Sequence, residues 1–207
     1  MGLIHIDLFT TVDGVAQAPG GPQEDPEGGF VFGGWQAPLI DEVVGQHVLA
    51  DIQSLDALLL GRKTYDMFAA YWPYQESAIA KVFNAVPKYV ASRHAPTLEW
   101  ANSTLLGPDL VGEVKALRSR HDNVHVFGSL NFVQSLLSTR LFDRLRLWVY
   151  PIVLDPGKKV FAGGAIPSNL TLVEPAVTSP RGAVLLRYEL AEGMPATGNM
   201  SSEDRGA

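Results

Sequence analysis

The sequence predicts an α/β fold: a mainly parallel sheet with helices on both faces and an antiparallel hairpin at its C-terminal edge. Three observations predict it. Apolar runs of strand length alternate with segments of helical period as far as Phe142, the pattern of strand–helix–strand units. Several of those strands end in turns built from glycine, serine and cations. The last two strand-like runs, Leu170 to Val177 and Ala183 to Leu190, are joined around Ser179-Pro180-Arg181-Gly182 and read as a hairpin.

Leu3 to Thr11 is the first strand, closing on the turn signal Asp13-Gly14. Gln17 to Gly34 is rich in Gly, Pro and acids and has no period. It is long for a loop in a compact domain and reads as a lid or as a floppy insertion. Pro38 suits a first helical turn, and Leu39 to Gln53 carries apolar residues at helical spacing. Ala57 to Leu60 is a strand, followed by short helices over Tyr65 to Tyr71 and Ser77 to Asn84. Lys88 to Ser92 is the next strand, and Leu98-Glu99-Trp100 a short one after it. Asp109 to His121 is an amphipathic helix, Asn123 to Phe127 a strand, Leu130 to Leu137 a helix and Arg144 to Val149 a strand. Residues 1–192 are expected to form one domain, with 193–207 a polar, disordered tail.

Composition narrows the chemistry. The chain has 207 residues, 46% of them hydrophobic and 18% charged, enough for a substantial core. A net charge of -6 gives no nucleic-acid footprint. The absence of cysteine excludes disulfides, thiolate metal sites and a cysteine nucleophile. Five scattered histidines have no metal-ligand spacing, so no metal is expected and surface or structural roles are assigned to them. No apolar run nears the ~20 residues of a membrane helix, and Met1 to Leu8 does not read as a signal peptide. A cytoplasmic protein is expected.

The stretch Leu58 to Phe68 organises the rest. A buried-strand run breaks at Gly61 and presents Arg62, Lys63 and Thr64, at the strand end where open α/β sheets bind ligands. Helix N–H groups and fixed cations there make an anion site. A solvated basic turn is the even alternative. Ser92-Arg93 and Phe127-Gly128-Ser129-Leu130 are two more such turns. Convergence of the three favours a phosphate-bearing ligand. The three cations Arg62, Lys63 and Arg93 favour one with an extra phosphate, such as NADPH.

These residues resemble the dihydrofolate reductase superfamily, and more closely the C-terminal reductase domain of the riboflavin-biosynthesis deaminase-reductase and its stand-alone relatives. The likeness runs from about residue 3 to 190: Thr11-Val12-Asp13-Gly14, Gly61-Arg62-Lys63-Thr64-Tyr65, Ser92-Arg93, Val126-Phe127-Gly128-Ser129 and Tyr150 to Phe161. It implies a three-layer sandwich and an NADPH site. Arg62, Lys63 and Thr64 would hold the 2′-phosphate and pyrophosphate, with Ser92 and Arg93 beside the adenosine phosphate. Gly128, Ser129 and Leu130 would cover the pyrophosphate, and Val15 and Ala16 would face the nicotinamide amide. Gly61 and Phe127 belong to the same strand ends.

Two departures stand out: Gly128-Ser129 where the family has Gly-Gly, and Asp155-Pro156 where a glycine is common. True dihydrofolate reductases carry Trp-x-x-Pro-x-acid. Here Trp35 and Pro38 keep that spacing, but Ile40 stands at the acid position and Asp41 comes one residue later, about 100° round a helix. That argues against folate. The expected function is NADPH-dependent hydride transfer to a small acceptor. The alternatives are a ribosylamino-pyrimidine reductase of the riboflavin pathway, weakened because no zinc deaminase motif accompanies it, or a non-catalytic NADPH-binding protein. No clear proton donor is legible; Asp13 and Asp41 are the candidates. A homodimer is expected, with a small-molecule substrate and neither nucleic acid nor membrane as partner.

Overall fold

The computed structural model describes residues 1–199; the end of the expected tail lies outside them. Among the described residues nine strands form one sheet. They are β1 (Leu3–Thr11), β2 (Ala57–Gly61), β3 (Lys88–Ala91), β4 (Ser103–Leu105), β5 (Asn123–Val126), β6 (Arg144–Tyr150), β7 (Leu170–Leu172), β8 (Val177–Thr178) and β9 (Val184–Leu190). The order is β4-β3-β2-β5-β1-β6-β9-β7, with β8 also paired to β9. From β4 to β6 every pairing is parallel. The antiparallel strands gather at one edge around β9.

Helices cover both faces. Ile4, Ile6 and Leu8 of β1 pack with Val114 and Leu117 of α4 (Leu110–Arg120) and with Val133 and Leu136 of α5 (Leu130–Thr139). On the other face Leu58 and Leu60 meet Ile52 of α1 (Glu42–Gln53), Tyr65 of α2 (Arg62–Tyr71) and Phe83 of α3 (Ala78–Ala85). A third cluster joins Trp35, Val44, Trp148 and Leu185. Every core residue of β2 is apolar because both of its faces are covered.

The strand expected at Leu98 to Trp100 is absent; pairing with β3 falls to Ser103–Leu105 instead. Trp100 is occupied otherwise. Its indole donates to Asn84 Oδ1 (2.8 Å) and its backbone N–H to Tyr65 Oη (3.1 Å). Its ring lies 4.4 Å from the Nζ of fully buried Lys88. Burial holds that ammonium down to about 8, and the carbonyls of Asn84 and Ala101 accept its hydrogen bonds.

Helix α2 begins at Arg62, directly on the strand, three residues earlier than its periodicity suggests. Gly61 donates its N–H to Gly128 O at 2.8 Å, and a Cβ there would sit 2.7 Å from Phe132 Cβ. The glycine therefore clamps the end of β2 against the start of α5.

Candidate active site

At the carboxyl ends of β1, β2 and β5 a cleft of about 510 Å³ opens. Phe9 and Phe127 with Asp7 form its floor, α2 one wall, the start of α5 another, and residues 16–20, Glu24 and Asp25 with Lys158 the rim. The first N–H groups of α5 lack intrahelical partners, and Ser129 caps that helix without a side-chain bond. The Gly128–Ser129 peptide is cis, and φ at Gly128 is 141°. A Cβ at Gly128 would meet Thr64 Oγ1 at 2.6 Å, so glycine lets these two walls close together.

The predicted residues divide. Ala16, Lys63, Thr64, Phe127, Gly128, Ser129 and Leu130 all line the cleft. Gly61, Arg62, Val15, Ser92 and Arg93 do not. An early helix start explains Arg62: successive side chains diverge by about 100°, so Lys63 faces the cleft while Arg62 lies outside it and pairs with Asp66, which lines the cleft one turn on, Nε to Oδ1 2.6 Å. Val15 is fully buried and bridges Lys159 on the neighbouring segment. Ser92 accepts the N–H of His94 in its own turn.

Both candidate acids hold backbone in place. Asp13 Oδ1 accepts from Thr11 Oγ1 (2.5 Å) and Leu154 N (3.2 Å), and Oδ2 from Asp155 N (2.9 Å). The Thr11 hydroxyl, with these N–H groups, holds its carboxyl at about 2. Asp41 caps α1, accepting from Val44 N and from Arg181 N, each at 3.1 Å. Burial raises its carboxyl, but those N–H groups prevail and the net shift is downward. Neither acid lines the cleft.

Residues 17–34 are packed rather than loose. Trp35 Nε1 donates to Gln17 O (2.8 Å), and Gln17 Nε2 to the carbonyls of Asp25 and Glu27 (both 2.9 Å). Lys158 pairs with Asp25 (2.5 Å) and Glu27 (2.6 Å), and Lys63 also pairs with Glu27. Phe30 and Trp35 are buried, whereas Phe32 is exposed. The two cleft lysines are thus bridged by one carboxylate.

The floor holds a buried cluster that the sequence analysis did not single out. Asp7 Oδ2 lies 2.8 Å from His125 Nδ1, and Asp7 Oδ1 lies 3.3 Å from Arg146. His5 stacks on His125 at 4.6 Å. Burial acts to raise the Asp7 carboxyl, but His125 and Arg146 hold it at about 2. Burial, with the repulsion of His125 and Arg146, takes His5 down to about 4. A signal existed in the sequence: His5, Asp7, His125 and Arg146 interrupt apolar strands at alternate positions, where a doubly covered sheet disfavours charge.

The RibD C-terminal domain family matches residues 3–184, and the chain belongs to it. An uncharacterized Bacillus subtilis protein, YyaP, is 24% identical over 89% of this chain and 93% of its own length. A putative riboflavin biosynthesis protein from Shewanella sp. PV-4 superposes with a TM-score of 0.66 at 17% identity, covering 92% of this chain and 99% of that one. A pyrimidine reductase-like protein from Corynebacterium diphtheriae gives a TM-score of 0.62 at 14% identity over 93% of each chain. A Thermotoga maritima deaminase/reductase gives 0.60 at 13%, over 92% of this chain and 57% of its own. The fold is that of the riboflavin-pathway reductase domains, the dihydrofolate reductase-like sandwich. No helix among the described residues is long and apolar enough to cross a membrane.

Proposed function

We propose that the protein is an NADPH-dependent reductase passing a hydride to a small acceptor other than dihydrofolate. One observation carries this reading: a helix start, two lysines and a glycine-tightened wall share a cleft whose floor is aromatic and ends in a carboxylate. The residues fit the cofactor. Unpartnered N–H groups of α5 and the Lys63 and Lys158 ammonium groups would take its phosphates. Ala16 would meet the nicotinamide. Reductase domains of this family use NADPH, which supports the choice. When bound, the cofactor supplies the hydride; the chain orients the acceptor and excludes water. Asp41, engaged as a helix cap, counts against folate. A ribosylamino-pyrimidine acceptor is the second reading, favoured by the names of the solved neighbours.

Calorimetric titration with NADPH and NADH, then a screen of imine, carbonyl, pterin and pyrimidine acceptors, tests this. NADPH is expected to bind at least about tenfold tighter, because a lost charge-assisted hydrogen bond costs about 1.5–3 kcal/mol. Equal affinity would sink the 2′-phosphate assignment, and no binding of either would sink the reading.

We also propose that two copies pair along the three-residue edge strand β7, which leaves ladder groups needing cover. Sedimentation at micromolar concentration should return a dimer; a monomer overturns the pairing.

A further inference from the structure

The polar groups of the cleft are sorted by kind. Its donors stand on the side of α2 and α5: the Lys63 ammonium, the Thr64 hydroxyl and the free N–H groups at the start of α5. Lys158 joins them from the rim. Among the described residues that line the cleft, Lys63 and Lys158 are the only cations. Both already meet the Glu27 carboxylate, and Lys158 holds Asp25 as well. A pyrophosphate and a 2′-phosphate together outweigh two ammonium groups in charge, so a bound cofactor occupies both.

On the side of β1 the groups are acceptors. Asp7 stands on the floor with 13% of its side chain exposed. Arg146, 3.3 Å from Asp7, lies outside the cleft and is shared with Asp51 at 3.6 Å. Burial opposes the charge of Asp7, but His125 and Arg146 hold the carboxyl at about 2. Gln36 is 6% exposed and also lines the cleft. Its Nε2 donates to Tyr150 Oη (2.7 Å), and its oxygen accepts no hydrogen bond among the described residues. Glu24 and Asp25 add carboxylates at the rim. The same space is lined by four half-buried rings, Phe9, Phe68, Trp72 and Phe127. Phe68 lies 5.9 Å from Trp72 and 6.4 Å from Phe127.

We infer that the acceptor is a flat heteroaromatic ring that turns N–H groups toward Asp7 and Gln36 and carries no phosphate or carboxylate. The inference rests on the reductase reading and deepens it, because it names the chemistry of the molecule reduced. Aromatic walls favour a flat ring, whose face stacks on them. Acceptor oxygens on the floor favour a ring edge that donates, and a carboxylate strengthens such a bond. An anionic group on the acceptor would meet Asp7 at the floor or Glu24 and Asp25 at the rim. It would find no cation left, since the cofactor holds Lys63 and Lys158, and Arg146 is bound to Asp7 and Asp51 outside the cleft. Like charges brought together at a binding surface reject a ligand more sharply than a missing contact does. The separation of donors from acceptors therefore assigns the phosphates to the cofactor and an uncharged ring to the floor.

The test is calorimetry on the wild type saturated with NADP+, using two matched pairs of probes. 6-Hydroxymethylpterin and pterin-6-carboxylate share a ring and differ by a carboxylate; cytidine and cytidine 5′-monophosphate differ by a phosphate. In each pair the neutral probe should bind at least about tenfold tighter, a low figure for a like-charge contact. Met67→Lys sets a cation on the α2 wall of the cleft. It should bring each anionic probe to within about threefold of its neutral partner. Phe9→Leu keeps apolar bulk on the floor but removes a flat face, and should weaken 6-hydroxymethylpterin about tenfold. Three results on the wild type overturn the proposal: an anionic probe that binds as tightly as its neutral partner, no binding of either neutral probe, or neutral-probe binding that NADP+ abolishes. The last would give the ring slot to the nicotinamide. Failure of the reductase reading shows separately, as absence of NADPH and NADP+ binding to the wild type before any probe is added.

Discussion

Asp7 and Asp13 are both held at about 2, by different means and with different consequences. Asp13 ties the turn after β1 to residues 154–155. Asp13→Ala removes the acceptor of two backbone N–H groups that solvent can still reach, which should cost about 0.5–1.5 kcal/mol. At about 2–4 °C per kcal/mol for a chain of this size, thermal melting should register it clearly. Both folded values lie below the ordinary aspartate value of 3.8, so the stabilisation is complete above that value and drains away as pH falls through about 2. Acid titration followed by circular dichroism should show a steep loss between those limits in the wild type and a shallower one in Asp13→Ala. At the cleft, Lys63→Ala should weaken NADPH binding about tenfold, the scale of one charge-assisted bond. Arg62→Ala and Arg93→Ala should change it by less than about twofold, as groups outside the cleft do. Three equal losses in calorimetry would show that the sequence reading of the cations was the better one.

At the level of elements, the β2–α2 and β5–α5 junctions act as one piece because Gly61 lets them touch. Gly61→Ala would drive a methyl into Phe132 and the Ser129 N–H, at 2.7 and 2.8 Å. Overpacking of this kind costs about 1–3 kcal/mol, and displacement of the α5 start should weaken NADPH binding as well. Denaturant melts together with calorimetry would detect both. The segment over 17–34 makes a different prediction. Because Glu27 occupies both Lys63 and Lys158, Glu27→Gln should tighten NADPH binding about threefold, a modest change suited to exposed ion pairs. Looser binding in the variant would mean that Glu27 organises the lysines rather than competing for them.

The alternation of strand and helix was legible because amphipathic periods are local, and so were the turns at Gly61 and Gly128, where residue type reports backbone need directly. What escaped was set by distance. Whether Arg62 or Lys63 faces the cleft depends on the residue at which the helix begins. Trp100 is withheld from the sheet by Lys88 and Asn84, which lie twelve and sixteen positions before it in the chain. Asp7 and His125 meet only because β1 and β5 are neighbours, at a separation no pattern within either strand encodes.

At the scale of the molecule, both partners of β1 lie far along the chain. Leu3 pairs with Asn123, and Thr11 with Tyr150. On a ribosome adding about 5–20 residues per second, roughly 10–30 seconds must pass before β1 can find its second neighbour. For that interval Ile4, Ile6 and Leu8 have no sheet to join, although they are among the first residues made. Newly made chains should therefore depend on a holding chaperone for their N-terminal segment. Nascent chains arrested near residue 130 should remain open to protease within residues 3–11, while those arrested beyond the exit tunnel's reach of residue 150 should not.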